Sequence, residues 1–185
     1  MPNSKTKGSR NERNVAKLME NWSGYEFART PQSGGLHWKK QHTTGDIVCI
    51  DEKHGHRFSF SIECKFHESL DLLHLIDDTI GKKSNKILSF WEQTTNDAWQ
   101  AKRLPLLFMR RNGMKKDMHF VVMETNFFLL LLSEFEPWGI KYGIFHYSHP
   151  DFNFTIMNSE DLFATDYRIF HKLGRKVRRN VISKT

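Results

Sequence analysis

Long apolar runs are missing from this chain. The longest, Phe127–Leu132, covers six residues, against the roughly 18 that a membrane-spanning helix needs. The opening MPNSKTKGSR contains no apolar stretch of the kind a secretory signal carries. No membrane association is therefore expected, and a cytoplasmic location is. Cysteine is also scarce. Cys49 and Cys64 fall in separate predicted strands without CxxC spacing, which favours reduced core thiols over a disulfide framework. Ten histidines are present, but His54-x-His56 and His146-x-x-His149 have no cysteine partners and no HExxH pattern, so zinc is not expected. Acid is absent where basic charge is densest. His171–Thr185 holds Lys172, Arg175, Lys176, Arg178, Arg179 and Lys184 with no Asp or Glu.

What remains describes a folded, basic protein. With 185 residues, 38% hydrophobic and 13% aromatic, the chain is long enough for one cored domain and too apolar for a disordered one. The net charge is +7, and without the six cations of the C-terminal segment the remainder carries +1. Two further basic clusters lie at Lys5–Arg13 and Lys102–Lys116. A near-neutral body with concentrated basic patches suits a polyanionic partner, nucleic acid above all.

The stretch Phe58–Lys65, FSFSIECK, organises the chain. Side chains alternate across a strand, so Phe58, Phe60, Ile62 and Cys64 share one face, while Ser59, Ser61, Glu63 and Lys65 share the other. A second apolar strand, Asp46–Ile50, precedes it and opens with an acid after Gly45. The polar DEKHGHR between them can close a hairpin. Two acids and a lysine then meet at one edge of a small sheet, an arrangement able to hold a hydrated divalent metal beside a phosphate.

Taken in order, residues 1–7 read as a flexible basic arm. Ser9 and Glu12 fit a capping box opening a helix to about Trp22, with Val15, Leu18, Met19 and Trp22 as its apolar stripe. Glu12 falls on that stripe, as a cap, as an acid aimed at the site, or as both. A strand at Tyr25–Thr30 leads into Gln32-Ser33-Gly34-Gly35, a turn that allows close phosphate approach, and into a basic loop with Trp38, Lys39 and Lys40. Helices are predicted over His67–Ile80 and from Ser84 to about Arg103, where Gln93 can face the substrate. Leu104-Pro105 reads as a helix stop. Strands follow at Leu106–Met109 (with Arg110 and Arg111 turning out of it), His119–Met123 and Phe152–Met157, and helices at Asn126–Leu132 and Ser159–Ala164.

The order of helix with Glu12, strand, turn, strand with Asp46, and strand with Glu63-x-Lys65 resembles the PD-(D/E)xK nuclease superfamily, although Gly45-Asp46 stands where that pattern has Pro-Asp. Lys7-Gly8-Ser9-Arg10-Asn11-Glu12-Arg13, Arg29-Thr30-Pro31-Gln32-Ser33-Gly34 and Ile62-Glu63-Cys64-Lys65 are similar to segments of archaeal-type Holliday junction resolvases. The resemblance spans about residues 7–112, and the longer C-terminal part looks more like phage-encoded relatives. It implies an α/β, restriction-endonuclease-like core at 8–116 with a mixed central sheet flanked by helices. A C-terminal α+β extension at 117–170 and a basic tail at 171–185 would follow.

The resemblance further implies a homodimeric endodeoxyribonuclease acting on four-way DNA junctions. Mg²⁺, replaceable by Mn²⁺, would be held by Asp46, Glu63, the Cys64 backbone carbonyl and Glu12. Lys65 and Ser33 complete the expected catalytic set. Lys7, Arg10, Arg13, Arg29, Trp38, Lys39, Lys40, Gln93, Arg110 and Arg111 are the expected DNA contacts. A nuclease of the same fold acting on linear or flapped DNA, and a DNA-binding protein without catalysis, are the alternatives.

Overall fold

The structure, a computed structural model, describes residues 4–30, 44–76, 85–134 and 139–182. Its elements are α1 (Ser4–Ser23), β1 (Phe27–Arg29), β2 (Ile47–Cys49), β3 (Phe60–His67), α2 (Lys86–Gln100), β4 (Leu104–Arg111), β5 (Phe120–Glu124), α3 (Thr125–Ser133), β6 (Phe145–His149), β7 (Phe152–Asn158), α4 (Ser159–Phe163) and α5 (Tyr167–Ile182). The strands form one seven-stranded sheet in the order β1-β2-β3-β4-β5-β7-β6. Among the described residues only β3 and β4 run parallel, with α2 between them in the chain. This is the α/β architecture with a mixed, helix-flanked sheet that the sequence predicts. β5, β6 and β7 extend that sheet beyond β4, and the basic segment after residue 170 is helical to Ile182. Among the described residues no helix is long and apolar enough to cross a membrane.

The alternation read from FSFSIECK is present, yet both faces of β3 are covered. Phe58, Phe60, Ile62 and Cys64 join the larger core with Val15, Ala16 and Met19 of α1, Phe127 and Leu131 of α3, and Phe170 and Leu173 of α5. Ser59, Ser61 and Glu63 are buried as well, on the side where α2 packs Ile87, Leu88 and Trp91 over Leu107 and Met109. Burying each aliphatic or aromatic side chain contributes about 1.5–3 kcal/mol, so this double cover holds β3 fast at the sheet's centre.

Several boundaries differ from expectation. α1 opens at Ser4, which leaves Ser9 and Glu12 inside the helix, so they form no capping box. The helix expected from His67 is absent over the described part of that span. Parallel pairing with β4 carries β3 to His67, and only a 3₁₀ turn, Leu73–Leu75, follows before residue 77. Ile80 and Gly81 lie outside the described residues. The α2 cap is Asn85, whose side chain accepts from the Ile87 and Leu88 amides, and Thr94 rather than Thr95 faces inward. Leu104-Pro105 begins β4 instead of stopping a helix. The Leu104 amide donates to Ser59, so the next position points towards β5, whose ladder starts only at Leu107. The amide that Pro105 lacks is not needed there.

α5 is seated by close contacts. The Phe60 and Phe170 rings stack with centroids 4.5 Å apart, and a Cβ on Gly174 would stand 2.6 Å from the Phe60 ring. Phe60 is itself held between Phe58 and Phe127 and has no room to yield. Gly174→Val is accordingly expected to destabilise the protein by about 2 kcal/mol, from overpacking, as measured by urea unfolding. Unchanged stability would show that α5 does not pack against Phe60.

Candidate active site

Two hydrogen bonds place the acids of β2 and β3. The Asp46 amide donates to the Ile62 carbonyl at 2.8 Å, and the Cys64 amide donates to Asp46 Oδ2 at 2.9 Å. Ile47 pairs with Ile62 in an antiparallel ladder, and Asp46, just before β2, lies close enough to Glu63 to feel its charge. A strand residue's N–H and C=O point to the same edge, so the Cys64 carbonyl also turns towards Asp46. Gly45 makes this approach possible. Its φ is +89°, and a Cβ there would lie 2.4 Å from the Ile62 carbonyl oxygen.

Lys65 follows on the face of Glu63. Its Nζ sits 2.7 Å from Glu63 Oε1 and 5.8 Å from the centroid of the Phe90 ring of α2. Burial pushes the Asp46 carboxyl up to about 7, with the charge of Glu63 as the next cause and that of Glu12 a further one. The Cys64 amide and the Lys65 ammonium oppose this rise. Asp46 therefore sits in a local excess of negative charge, which a bound cation would relieve.

Glu12 comes from α1, on the Ile62 side of the sheet, and is ion-paired with Arg29. Among the described residues no three His, Cys, Asp or Glu side chains gather as one metal-holding group, so Glu12 does not join Asp46 and Glu63 in a single closed set. Two neighbouring carboxylates with a nearby backbone carbonyl are nevertheless hard oxygen donors, and they fit an octahedral Mg²⁺ or Mn²⁺ that keeps part of its water.

A cleft of about 570 Å³ opens at the C-terminal end of β3, where Phe66 follows Lys65. It is lined by Lys7, Arg10, Arg13, Lys17, Arg110 and Lys116 with Asn11, Asn14 and Phe66, and by no acid. Three of the expected DNA contacts, Lys7, Arg10 and Arg13, thus meet in one place. Lys17, Lys116, Asn14 and Phe66 were not expected, although the spacing of Arg10, Arg13, Asn14 and Lys17 already marks one helical face. Arg110 lines the cleft, but its guanidinium donates to the carbonyls of Met114, Lys115, Lys116 and Met118 and so closes the turn after β4. Arg111 is exposed and donates to Asn112. Gln93 is exposed on α2, one turn beyond Phe90. Ser33, Trp38, Lys39 and Lys40 lie outside the described residues.

The family described as "Phage putative PDDEXK endonuclease" matches residues 3–169 of this sequence. The chain belongs to this family of phage PDDEXK endonucleases. No curated protein and no solved structure matches it. Membership accords with the restriction-endonuclease-like sheet. In the endonuclease, Asp46 immediately precedes β2, and Glu63 and Lys65 lie on β3.

The raised Asp46 carboxyl makes a stability prediction. In the unfolded chain this group titrates near 3.8, and in the fold at about 7. The native state therefore loses stability as pH rises between those values. In metal-free buffer Asp46→Asn is expected to stabilise the endonuclease by ~1–2 kcal/mol at pH 8, with the gain shrinking towards pH 4. Urea titrations at several pH values check this, and a pH-independent effect contradicts the assignment.

Proposed function

We propose that the chain is a divalent-metal-dependent endodeoxyribonuclease that hydrolyses phosphodiesters in branched DNA, with four-way junctions as its substrate. The observation that supports the hydrolytic part is the proximity of Asp46 to Glu63 and Lys65, in a protein whose α1 side carries a cleft lined by cations and no acid. Asp46, Glu63 and the Cys64 carbonyl would hold the ion, and Glu12, anchored by Arg29, would add negative charge nearby. Bound there, Mg²⁺ or Mn²⁺ supplies Lewis acidity that neutralises charge on the phosphate and acidifies water.

The remaining steps fall to the chain's own groups. The cations of the cleft take the DNA backbone and set the register of the scissile phosphate. Lys65 is positioned to orient the attacking water or to stabilise the charge that builds on phosphorus-bound oxygen. A bond forms from water oxygen to phosphorus as the bond from phosphorus to the leaving sugar oxygen breaks, the water proton passes to solvent, and the leaving oxygen takes up a proton from solvent. Branched DNA is supported by the junction-resolvase likeness of residues 7–13, 29–34 and 62–65. A junction of near two-fold symmetry needs paired cuts, hence a homodimer.

A fluorescent four-way junction and a linear duplex of the same sequence, with and without Mg²⁺, test the reading. Asp46→Asn and Glu63→Gln are each expected to slow cleavage by ~10³-fold or more, and Lys65→Met by ~10²-fold, with junction affinity held within about threefold. Equal cutting of junction and linear duplex removes the branched-DNA part. Variants that leave DNA function intact would place the protein among non-catalytic DNA binders.

A further inference from the structure

We infer that the outer face of α5 is a second DNA-backbone site, separate from the cleft along α1, that holds a stretch of the substrate away from the reacting phosphate. This rests on the DNA-cleaving reading above and extends it. The basic C-terminal segment is a helix seated against β3 through Gly174, Phe170 and Leu173. One of its arginines is turned inward. Arg178 donates to the Lys102 carbonyl at 2.7 Å and to the Phe58 carbonyl at 3.4 Å, which ties the helix to the start of the sheet.

The other described cations point elsewhere. Lys172, Arg175, Lys176 and Arg179 recur at the spacing of one helical face and line a single groove of about 560 Å³, where Glu134 is the one acid. Among the described residues none of the four forms an ion pair. Four unpaired cations on a fixed helix form a preorganised array, which takes up phosphates at less entropic cost than a flexible tail does.

Position separates this site from the cleft. Gly174 packs on Phe60, whereas the cleft is floored by Phe66. Those residues stand six positions apart on β3, about 20 Å, which is about six base-pair steps of one DNA strand. α1 and α5 both cover the Ile62 face of the sheet, so DNA leaving the cleft can continue across α5 without passing around the sheet. A lipid surface offers the same phosphate chemistry. Tyr167, Ile169, Phe170, Leu173 and Val177 of α5 are spent on the core, however, and so are not offered to a bilayer.

Binding of full-length protein to a 30-base-pair duplex and to a four-way junction, followed by anisotropy in EDTA over a KCl series, decides the matter without cleavage. Replacing Lys172, Arg175, Lys176 and Arg179 by Gln is expected to lower the slope of log K against log [KCl] by about 3–4. Replacing Arg175 and Arg179 by Lys should keep the wild-type slope. Gln at Lys7, Arg10 and Arg13 should lower the slope independently, and the two losses should add. An α5 variant with the wild-type slope overturns the inference while leaving the nuclease reading intact, as does an α5 variant that loses only anionic-vesicle binding. Wild-type protein that binds with the full slope but never cuts in Mg²⁺ would sink the nuclease reading and spare this one.

Discussion

The structure turns on two like charges held side by side. Left to themselves, Asp46 and Glu63 would separate, and burial makes their proximity more costly still. Backbone geometry prevents it. The Asp46 amide is bonded to Ile62, the Cys64 amide to the Asp46 carboxylate, and a glycine without a side chain lies flat against the Ile62 carbonyl. Behind this hairpin, cores on both faces of β3 and eight residues of parallel pairing with β4 supply the stability against which the repulsion is set. The acids are thus strained electrostatically while their backbone is fixed, as a preorganised cation site requires.

Charge around the acids is divided by role. Lys65 and Arg29 each answer one carboxylate, Glu63 and Glu12, while Asp46 keeps no cationic partner within ion-pair range among the described residues. The cleft at Phe66, on the α1 side of the sheet, is lined by cations and asparagines and by no acid.

Much of this was legible in the sequence. The period-two pattern of FSFSIECK assigned Glu63 and Lys65 to one face, and the hairpin-length spacing brought Asp46 to them. Both readings depend only on strand alternation, which tertiary context seldom overrides. Helix ends were read less well. The Ser9–Glu12 pair resembled a cap because its chemistry is local, whereas α1 starts earlier and Glu12 serves an ion pair with Arg29, 17 residues away. The helix expected over His67–Ile80 rests on apolar spacing, yet pairing with β4 extends the strand and leaves Leu73 and Ile76 exposed. Arg110 read as a DNA contact by charge alone. Its four carbonyl acceptors come from the turn that follows, a three-dimensional arrangement that no spacing rule encodes. The helical seat of the C-terminal segment escaped notice because its basic residues outweigh the few apolar ones, Phe170, Leu173 and Val177, that dock it.

The central claim is that Asp46 and Glu63 together bind one class of ion, and Mn²⁺ binding followed by electron paramagnetic resonance tests it most directly. Wild-type protein should take up Mn²⁺ saturably, in competition with Mg²⁺, and either Asp46→Asn or Glu63→Gln should weaken that uptake by at least ~10-fold in folded protein. Mn²⁺ binding of undiminished affinity in both variants would contradict the account.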